Sequence, residues 1–442
     1  MLMAMQPRII PRHNHAISRR QLSPNALRTL YRLHDHGFVA YLVGGCVRDI
    51  LLERTPKDFD IVTDATPNQI KRLFRNCRLI GRRFRLAHLH FQDEILEVST
   101  FRAGAPEDPE DEEPPTRHQR HLKDDDGMVL RDNVFGTPEE DALRRDFTIN
   151  ALAYSIADFS VIDYADGLND LERRLIRPIG DPTVRFTEDP VRMLRAIRFA
   201  AALGFSIEPD TWEALKNLAP TITRAAPARL YEELLKLFLM GDAAKTYDLL
   251  EESSLLTSLL PSLSRWLYGT SERRMLLNEL LKQIDLLSAM GEPVSPPLFL
   301  ALLFGPLLDH DALMRHRNGL PRQQSLDAAC ASFLEEMYPT VRIPARLGGS
   351  MRSILALQPT LHKTPPRRPH SILSRPGCSD AITYLRITAE ITGENREEST
   401  WWQSFISDHA SSYPPEQETD GGPSRRKRRR RRKRKTTPLL PG

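Results

Sequence analysis

The apolar period changes several times along the first third of the chain, and each change marks an element. Behind Ser23-Pro24, Leu27, Leu30, Tyr31 and Leu33 recur at helical spacing, which predicts a first helix. Residues 38–43 form a β-rich run ended by Gly44-Gly45, and 58–62 predicts a short strand ended by Thr63-Asp64, with a helix at 47–52 between them. Two further strands are predicted at 87–91 and 95–101, separated by a turn at Gln92-Asp93-Glu94. Residues 1–21 lack a period and read as an arm. Residues 103–127 have almost nothing apolar to bury and predict a mobile loop inside the domain.

Beyond Asp170 the strand signal fades, and leucine-rich helical periods dominate 191–407. The fold class predicted is α+β: a mixed head at 22–170, a helical neck at 171–260, a helical body at 261–410, and a polar tail at 411–442. No internal repeat of fixed period is present.

Charge changes the picture only at the end of the chain. The 442 residues carry 62 Lys and Arg against 58 Asp and Glu, a net of +4. Eleven of those bases fill 425–435, leaving 51 against 58, so a mildly acidic body precedes a strongly basic tail. At 40% hydrophobic residues the chain has material for sizeable cores. Cys46, Cys77, Cys330 and Cys378 are too widely spaced for a disulfide scaffold or a zinc site, which sets a reducing cytoplasm as the default. The longest apolar run, 296–308, falls short of the roughly 18 residues of a membrane span and is bounded and interrupted by helix-breaking prolines. The N-terminus has arginines and no acid before Asp35, as transit peptides do, but no apolar signal core.

Four segments carry chemistry. On a strand, Asp58 and Asp60 point to one face about 6.6 Å apart, with Phe59 turned into the core. Their repulsion is about 2–3 kcal/mol at an effective dielectric of 20, a cost that a divalent cation reverses. Alone, Asp-x-Asp is more often an ordinary polar strand face. Ahead of it stands Gly44-Gly45-Cys46-Val47-Arg48-Asp49, a strand-to-helix turn in which bare backbone, the helix N-terminus and Arg48 suit a triphosphate. Alone, Gly-Gly is usually just a turn. Together the two fit nucleotidyl transfer, in which two metals bridge the 3′ hydroxyl, the α-phosphate and the leaving pyrophosphate.

The third segment, Arg144-Arg145-Asp146-Phe147-Thr148-Ile149-Asn150, offers Asp146 as a third carboxylate, with Glu97 as its rival and a plain ion pair to Arg144 or Arg145 as the bland reading. The fourth begins at Glu188-Asp189-Pro190 and predicts a helix of about four turns, with Asp189 as N-cap and Gly204 as C-cap. At 100° per residue Arg192, Arg195 and Arg198 form one stripe around Phe199, without i+4 acids to neutralise them. That favours a polyanion or a stacked base over a solvated face.

In this order and spacing, the four segments resemble those of the bacterial poly(A) polymerase and tRNA nucleotidyltransferase family, whose head is similar to that of DNA polymerase β. The resemblance covers about residues 9–260. It implies that Asp58 and Asp60 hold magnesium and that Asp146 assists the 3′ hydroxyl. It further implies that Gly45, Arg48, Arg145, Asp189, Arg192, Arg195 and Arg198 contact the incoming nucleotide, with Asp189 and Arg192 reading the base; Gly44 in the turn and Asn150 in the third segment are read as joining that nucleotide site.

The polyadenylating branch is favoured because Gly81-Arg82-Arg83-Phe84-Arg85-Leu86-Ala87-His88 resembles its form, where CCA-adding relatives tend to carry Phe-Gly-Thr at the place of Phe84-Arg85-Leu86. Ile10-Pro11-Arg12, His15 and Ile17-Ser18-Arg19 resemble that branch's N-terminal arm, which weighs against a transit peptide. The implied activity is template-independent addition of AMP from ATP to RNA 3′ ends, in mRNA processing and RNA decay, by a cytoplasmic monomer working with RNA-degradation machinery and no membrane. The alternatives are a CCA-adding tRNA nucleotidyltransferase and a catalytically dead RNA binder. Arg425, Arg426, Lys427, Arg428, Arg429 and Arg430 open the basic tract expected to bind RNA phosphates with a steep salt dependence. His34-Asp35, His310-Asp311 and the pair Trp401-Trp402 read as coincidence and core packing respectively.

Overall fold

Along Ile95–Thr100, Leu96 and Val98 are buried while Ile95 and Glu97 face outward, the period-two pattern of a strand with one covered face. The computed structural model describes residues 6–81, 86–103, 135–240 and 242–409. Its main sheet has eight strands: β1 Arg8–Ile10, β2 Ala40–Val43, β3 Asp60–Thr63, β4 Cys77–Ile80, β5 Leu86–His90, β6 Ile95–Thr100, β7 Leu152–Ser155 and β8 Val161–Asp163. They lie in the order β1-β8-β7-β2-β3-β6-β5-β4, with β3 and β6 parallel and the other pairs antiparallel.

Leu42, Ile61, Val98, Ala87 and Leu89 face the main core, against which the helices Pro24–Asp35, Gly45–Leu51 and Pro67–Leu73 pack. The opposite face holds a small cluster of Val43, Val62, Phe101, Ala153 and Ile162. One register row crosses this second face from edge to edge: Ile9, Ile162, Ala153, Val43, Asp60, Glu97, His88, Arg78. Half the row is apolar and half is chemistry, and the change falls between β2 and β3.

Several expectations need correction. The arm is not unpatterned. Arg8–Ile10 pairs with β8, Ile17 is 1% exposed, and a ring nitrogen of His15 lies 2.8 Å from the Phe159 carbonyl oxygen. A three-residue edge strand is too short for its period to show in sequence. Strand β3 starts at Asp60, so Asp58 lies in the approach to the strand rather than on it. Strands β4, β7 and β8 were not expected; β7 is buried at all four positions and shows no alternation. Most of the 103–127 loop, together with Arg82, Arg83, Phe84, Arg85 and the tail, lies outside the described residues.

From Pro182 onward the described chain is almost wholly helical; a two-residue parallel pairing of Leu175–Ile176 with Ser206–Ile207 is the exception. The apolar run expected to be cut by prolines forms one 22-residue helix, Pro296–Arg317, with Pro306 inside it. By length and composition that helix passes the test for a membrane span. Its apolar residues from Leu298 to Phe304 and Leu308, however, are buried, and the helix packs against Arg322–Met337 and Ala345–Leu361, which makes it the core helix of the body. Trp402 is fully buried and donates to the Leu361 carbonyl at 3.0 Å, while Trp401 stacks on Phe405, so the pair is core packing.

Candidate active site

Strand β2 ends at Val43, and the chain must turn at once into the helix Gly45–Leu51. Gly44 makes that turn with φ +77° and ψ −137°, a conformation essentially restricted to glycine. A Cβ there would lie 3.1 Å from Arg145 Nη1 and 3.9 Å from Asp60 Oδ2. The turn therefore brings bare backbone between a guanidinium and a carboxylate, as expected for Gly44, Asp60 and Arg145. Gly45 has no such constraint: its Cβ would make an ordinary 3.5 Å contact with Arg48.

Asp60 is open to solvent on one side but has protein packed around its carboxyl. Desolvation raises its pKa above the ordinary carboxylate range; the charge of Glu97 adds to the rise, Arg145 opposes it, and Asp58 contributes further repulsion. Glu97, directly beside Asp60 in the parallel register, is thus the third carboxylate at this edge. Among the described residues, no three His, Cys, Asp or Glu side chains form a ready-made metal cage, which includes those of His34-Asp35 and His310-Asp311.

Asp146 is held by partners of its own. Its Oδ1 accepts from the Phe147 amide at 2.9 Å and Asn150 Nδ2 at 3.2 Å, and its Oδ2 from Arg195 Nε at 2.6 Å. Burial alone would push its pKa up, but Arg195, Asn150 and the amide outweigh burial and hold it below the ordinary value. Asn150 also accepts from Arg48 Nη1 at 2.8 Å. Arg48, 7% exposed, donates through Nε and Nη2 to Asp49 and lies over the Phe199 ring at 5.2 Å. Arg48 and Asn150 are enclosed between the glycine turn and the neck rather than extended into open space.

The helix Val191–Leu203 ends at Gly204 in the left-handed region, as expected, and Asp189 accepts from the Val191 amide although Pro190 occupies the cap position. The arginine stripe is present but is not free of acids. Glu233, 5% exposed on the helix Pro227–Leu239, lies 3.9 Å from Arg195 and 3.5 Å from Arg198, while Arg192 meets Glu188 at 3.1 Å. Those acids come from another helix and from the i−4 position. Phe199 is 8% exposed, edge-to-face with Phe147 and ringed by Arg48, Arg195 and Arg198, so it orders the stripe and is not open for base stacking. Arg229 grips both oxygens of Asp189 at 2.9 and 2.7 Å.

A cationic cluster went unnoticed in the sequence. Burial, together with the charges of Arg102, Arg145, Arg192 and Arg185, pushes the pKa of Arg144 down to about 9. Mutually repelling guanidinium groups, of which Arg145 reaches the Gly44 turn, suit an anion of high charge. Only the adjacency of Arg144 to Arg145 hinted at this. Arg425, Arg426, Lys427, Arg428, Arg429 and Arg430 lie outside the described residues.

Comparison with known proteins identifies the family. Family profiles match residues 40–177 as "Poly A polymerase head domain", 204–267 as "Probable RNA and SrmB- binding site of polymerase A" and 318–436 as "Polymerase A arginine-rich C-terminus". The poly(A) polymerase I of Salmonella typhi is 45% identical over 404 residues, covering 90% of this chain and 85% of its own. A CCA-adding enzyme of Leuconostoc mesenteroides is 40% identical over 220 residues, which is 50% of this chain and 51% of its own. The crystal structure of the Bacillus stearothermophilus CCA-adding enzyme in complex with CTP superposes with a TM-score of 0.56 at 26% identity, covering 88% of this chain and 83% of that one. Similarity to a CCA-adding enzyme over half of this chain but to a poly(A) polymerase over nearly its whole length settles the family: the chain belongs to the bacterial poly(A) polymerases, within the polymerase-β-like nucleotidyltransferases.

Proposed function

We propose that the protein adds AMP residues from ATP to RNA 3′ ends without a template, releasing pyrophosphate, with its chemistry at the Gly44–Asp60–Glu97 edge. The observation that carries this reading is the side-chain-free turn at Gly44, flanked by Arg145 on one side and Asp60 on the other. A triphosphate needs donors and close backbone approach, and the neighbouring carboxylates suit the cation that accompanies it.

Magnesium fits this donor set. Magnesium is usually held by one or two carboxylates together with substrate phosphates, so a protein cage of three ligands is not required. Asp58, Asp60 and Glu97 would hold it, relieving the repulsion that raises the Asp60 pKa. When bound it supplies charge stabilisation at the α-phosphate and a more acidic 3′ hydroxyl. Arg145 and the arginines around Arg144 bind the triphosphate. Asp146, fixed by Arg195 and Asn150, joins head to neck and sets the stripe. Asp189 and Arg192, held by Arg229 and Glu188, present an acceptor and a donor to the adenine edge.

The tract at 425–435 tethers the RNA through phosphates. Deleting residues 424–442 is expected to shorten products and flatten the salt dependence without changing ATP preference; unchanged product lengths reject the tether. A role in mRNA processing and RNA decay, in the cytoplasm and as a monomer, completes the reading.

The deciding experiment is primer extension with magnesium, using one unstructured RNA and one tRNA lacking its CCA end, each with ATP, CTP or both. Long ladders on the unstructured RNA with ATP alone support polyadenylation. Limited addition to the tRNA that requires CTP supports the CCA-adding alternative, whose relative is similar to this chain over about half of each.

A further inference from the structure

The polar half of the register row runs Asp60, Glu97, His88, Arg78 across β3, β6, β5 and β4. His88 and Glu97 are directly opposed in the antiparallel β5–β6 pair, on the open face that also carries Asp60, and His88 Nε2 lies 3.2 Å from Glu97 Oε1. The imidazole is 20% exposed and held between strands; the Glu97 side chain is 52% exposed, and its only neighbour along the row in the other direction is a like charge. A flexible carboxylate in that position swings away from Asp60 unless a donor holds it.

We infer that His88 is a positioning residue for the transfer reaction: its Nε2–H donates to Glu97 Oε1 and fixes that carboxylate with its other oxygen directed toward the Asp60 edge. A neutral imidazole with its proton on Nε2 makes this bond, so no change of charge is required. Residues of this kind that orient a metal-binding carboxylate alter metal affinity or activity about 10- to 100-fold when removed. The inference rests on the reading of Glu97 as the third carboxylate. It explains why a histidine, rather than an apolar residue, stands at the strand position facing Glu97.

The test uses the full chain with His88→Leu, His88→Gln, Glu97→Ala and the double variant His88→Leu/Glu97→Ala, each checked for an unchanged Tm. Two readouts are taken: kcat and KM for ATP in single-nucleotide addition, and Mn2+ affinity by electron paramagnetic resonance in the presence of a non-hydrolysable ATP analogue. His88→Leu is expected to lower kcat about 10-fold and weaken Mn2+ binding by a similar factor, with KM for ATP within about two-fold. His88→Gln, which keeps an N–H donor at similar reach, is expected to recover most of both. The double variant is expected to equal Glu97→Ala, since His88 acts only through Glu97. Unchanged Mn2+ affinity in His88→Leu, or an effect that multiplies with that of Glu97→Ala, overturns the inference. Full activity in Glu97→Ala removes the third-carboxylate reading itself; an impaired Glu97→Ala beside an unaffected His88→Leu removes only the role of His88.

Discussion

Asp60 and Asp146 belong to one head, yet their surroundings pull in opposite directions. Around Asp60 lie burial, Glu97 and Asp58, all of which disfavour its charge, against a single helpful cation, Arg145. Around Asp146 lie a two-pronged contact from Arg195, the Asn150 amide and a backbone N–H, which together outweigh burial. The first carboxylate is left with an electrostatic cost that a bound cation removes; the second already has its partners. On the function proposed above, the carboxylate left without a partner is read as the chemical one and the satisfied one as structural.

This contrast is open to direct attack. Asp60→Ala is expected to reduce AMP incorporation by at least about 10³-fold in primer extension, with an unchanged circular dichroism spectrum; activity within ten-fold of wild type refutes the carboxylate edge. Asp146→Ala is expected to cost about 2 kcal/mol in denaturant unfolding, because Arg195 loses its nearest carboxylate and keeps only Glu233 at 3.9 Å. Equal stability losses at Asp60 and Asp146 break the contrast. Gly44→Ala forces a side chain into a glycine-only conformation against Arg145, and a strain of about 1–2 kcal/mol is expected to appear as a several-fold higher KM for ATP.

The smallest effect concerns pH. A carboxyl whose folded pKa is raised disfavours the fold when ionised, a penalty present above that pKa and lost as pH falls through it. Asp60→Asn should therefore raise Tm at pH 7, by roughly 1–2 °C after allowance for solvent screening, and the gain should fade on acidification. Asp146 has the opposite sign. Its pair stabilises above the ordinary carboxylate pKa and is lost as pH falls below it, so Asp146→Asn should differ most from wild type at neutral pH and least in strong acid. Thermal melts of both variants across pH 3–8 check the two signs together.

The site was legible wherever neighbours in sequence are also neighbours in space. Gly44 before a helix, a strand through Asp60, and the Val191–Leu203 helix with Gly204 behind it are local features, and local propensity identified each, though it began the strand two residues early. That Glu97 stands beside Asp60 was not local: it depends on β3 and β6 running parallel in one particular register. Arg192, Arg195 and Arg198 looked unneutralised because Glu233 comes from a different helix about 35 residues further on.

The spacing of glycines, aspartates and arginines pointed to nucleotidyl transfer, and the resemblance those segments carry pointed to the family, because each segment is a local pattern readable along the chain. Tertiary structure alone decided which carboxylate stands beside Asp60, which arginines are already partnered, and that the arm ends the sheet as an edge strand. The physical reason is that charge and hydrogen bonding act over a few ångströms of space, and only strand register and helix packing bring residues distant in the chain within that range.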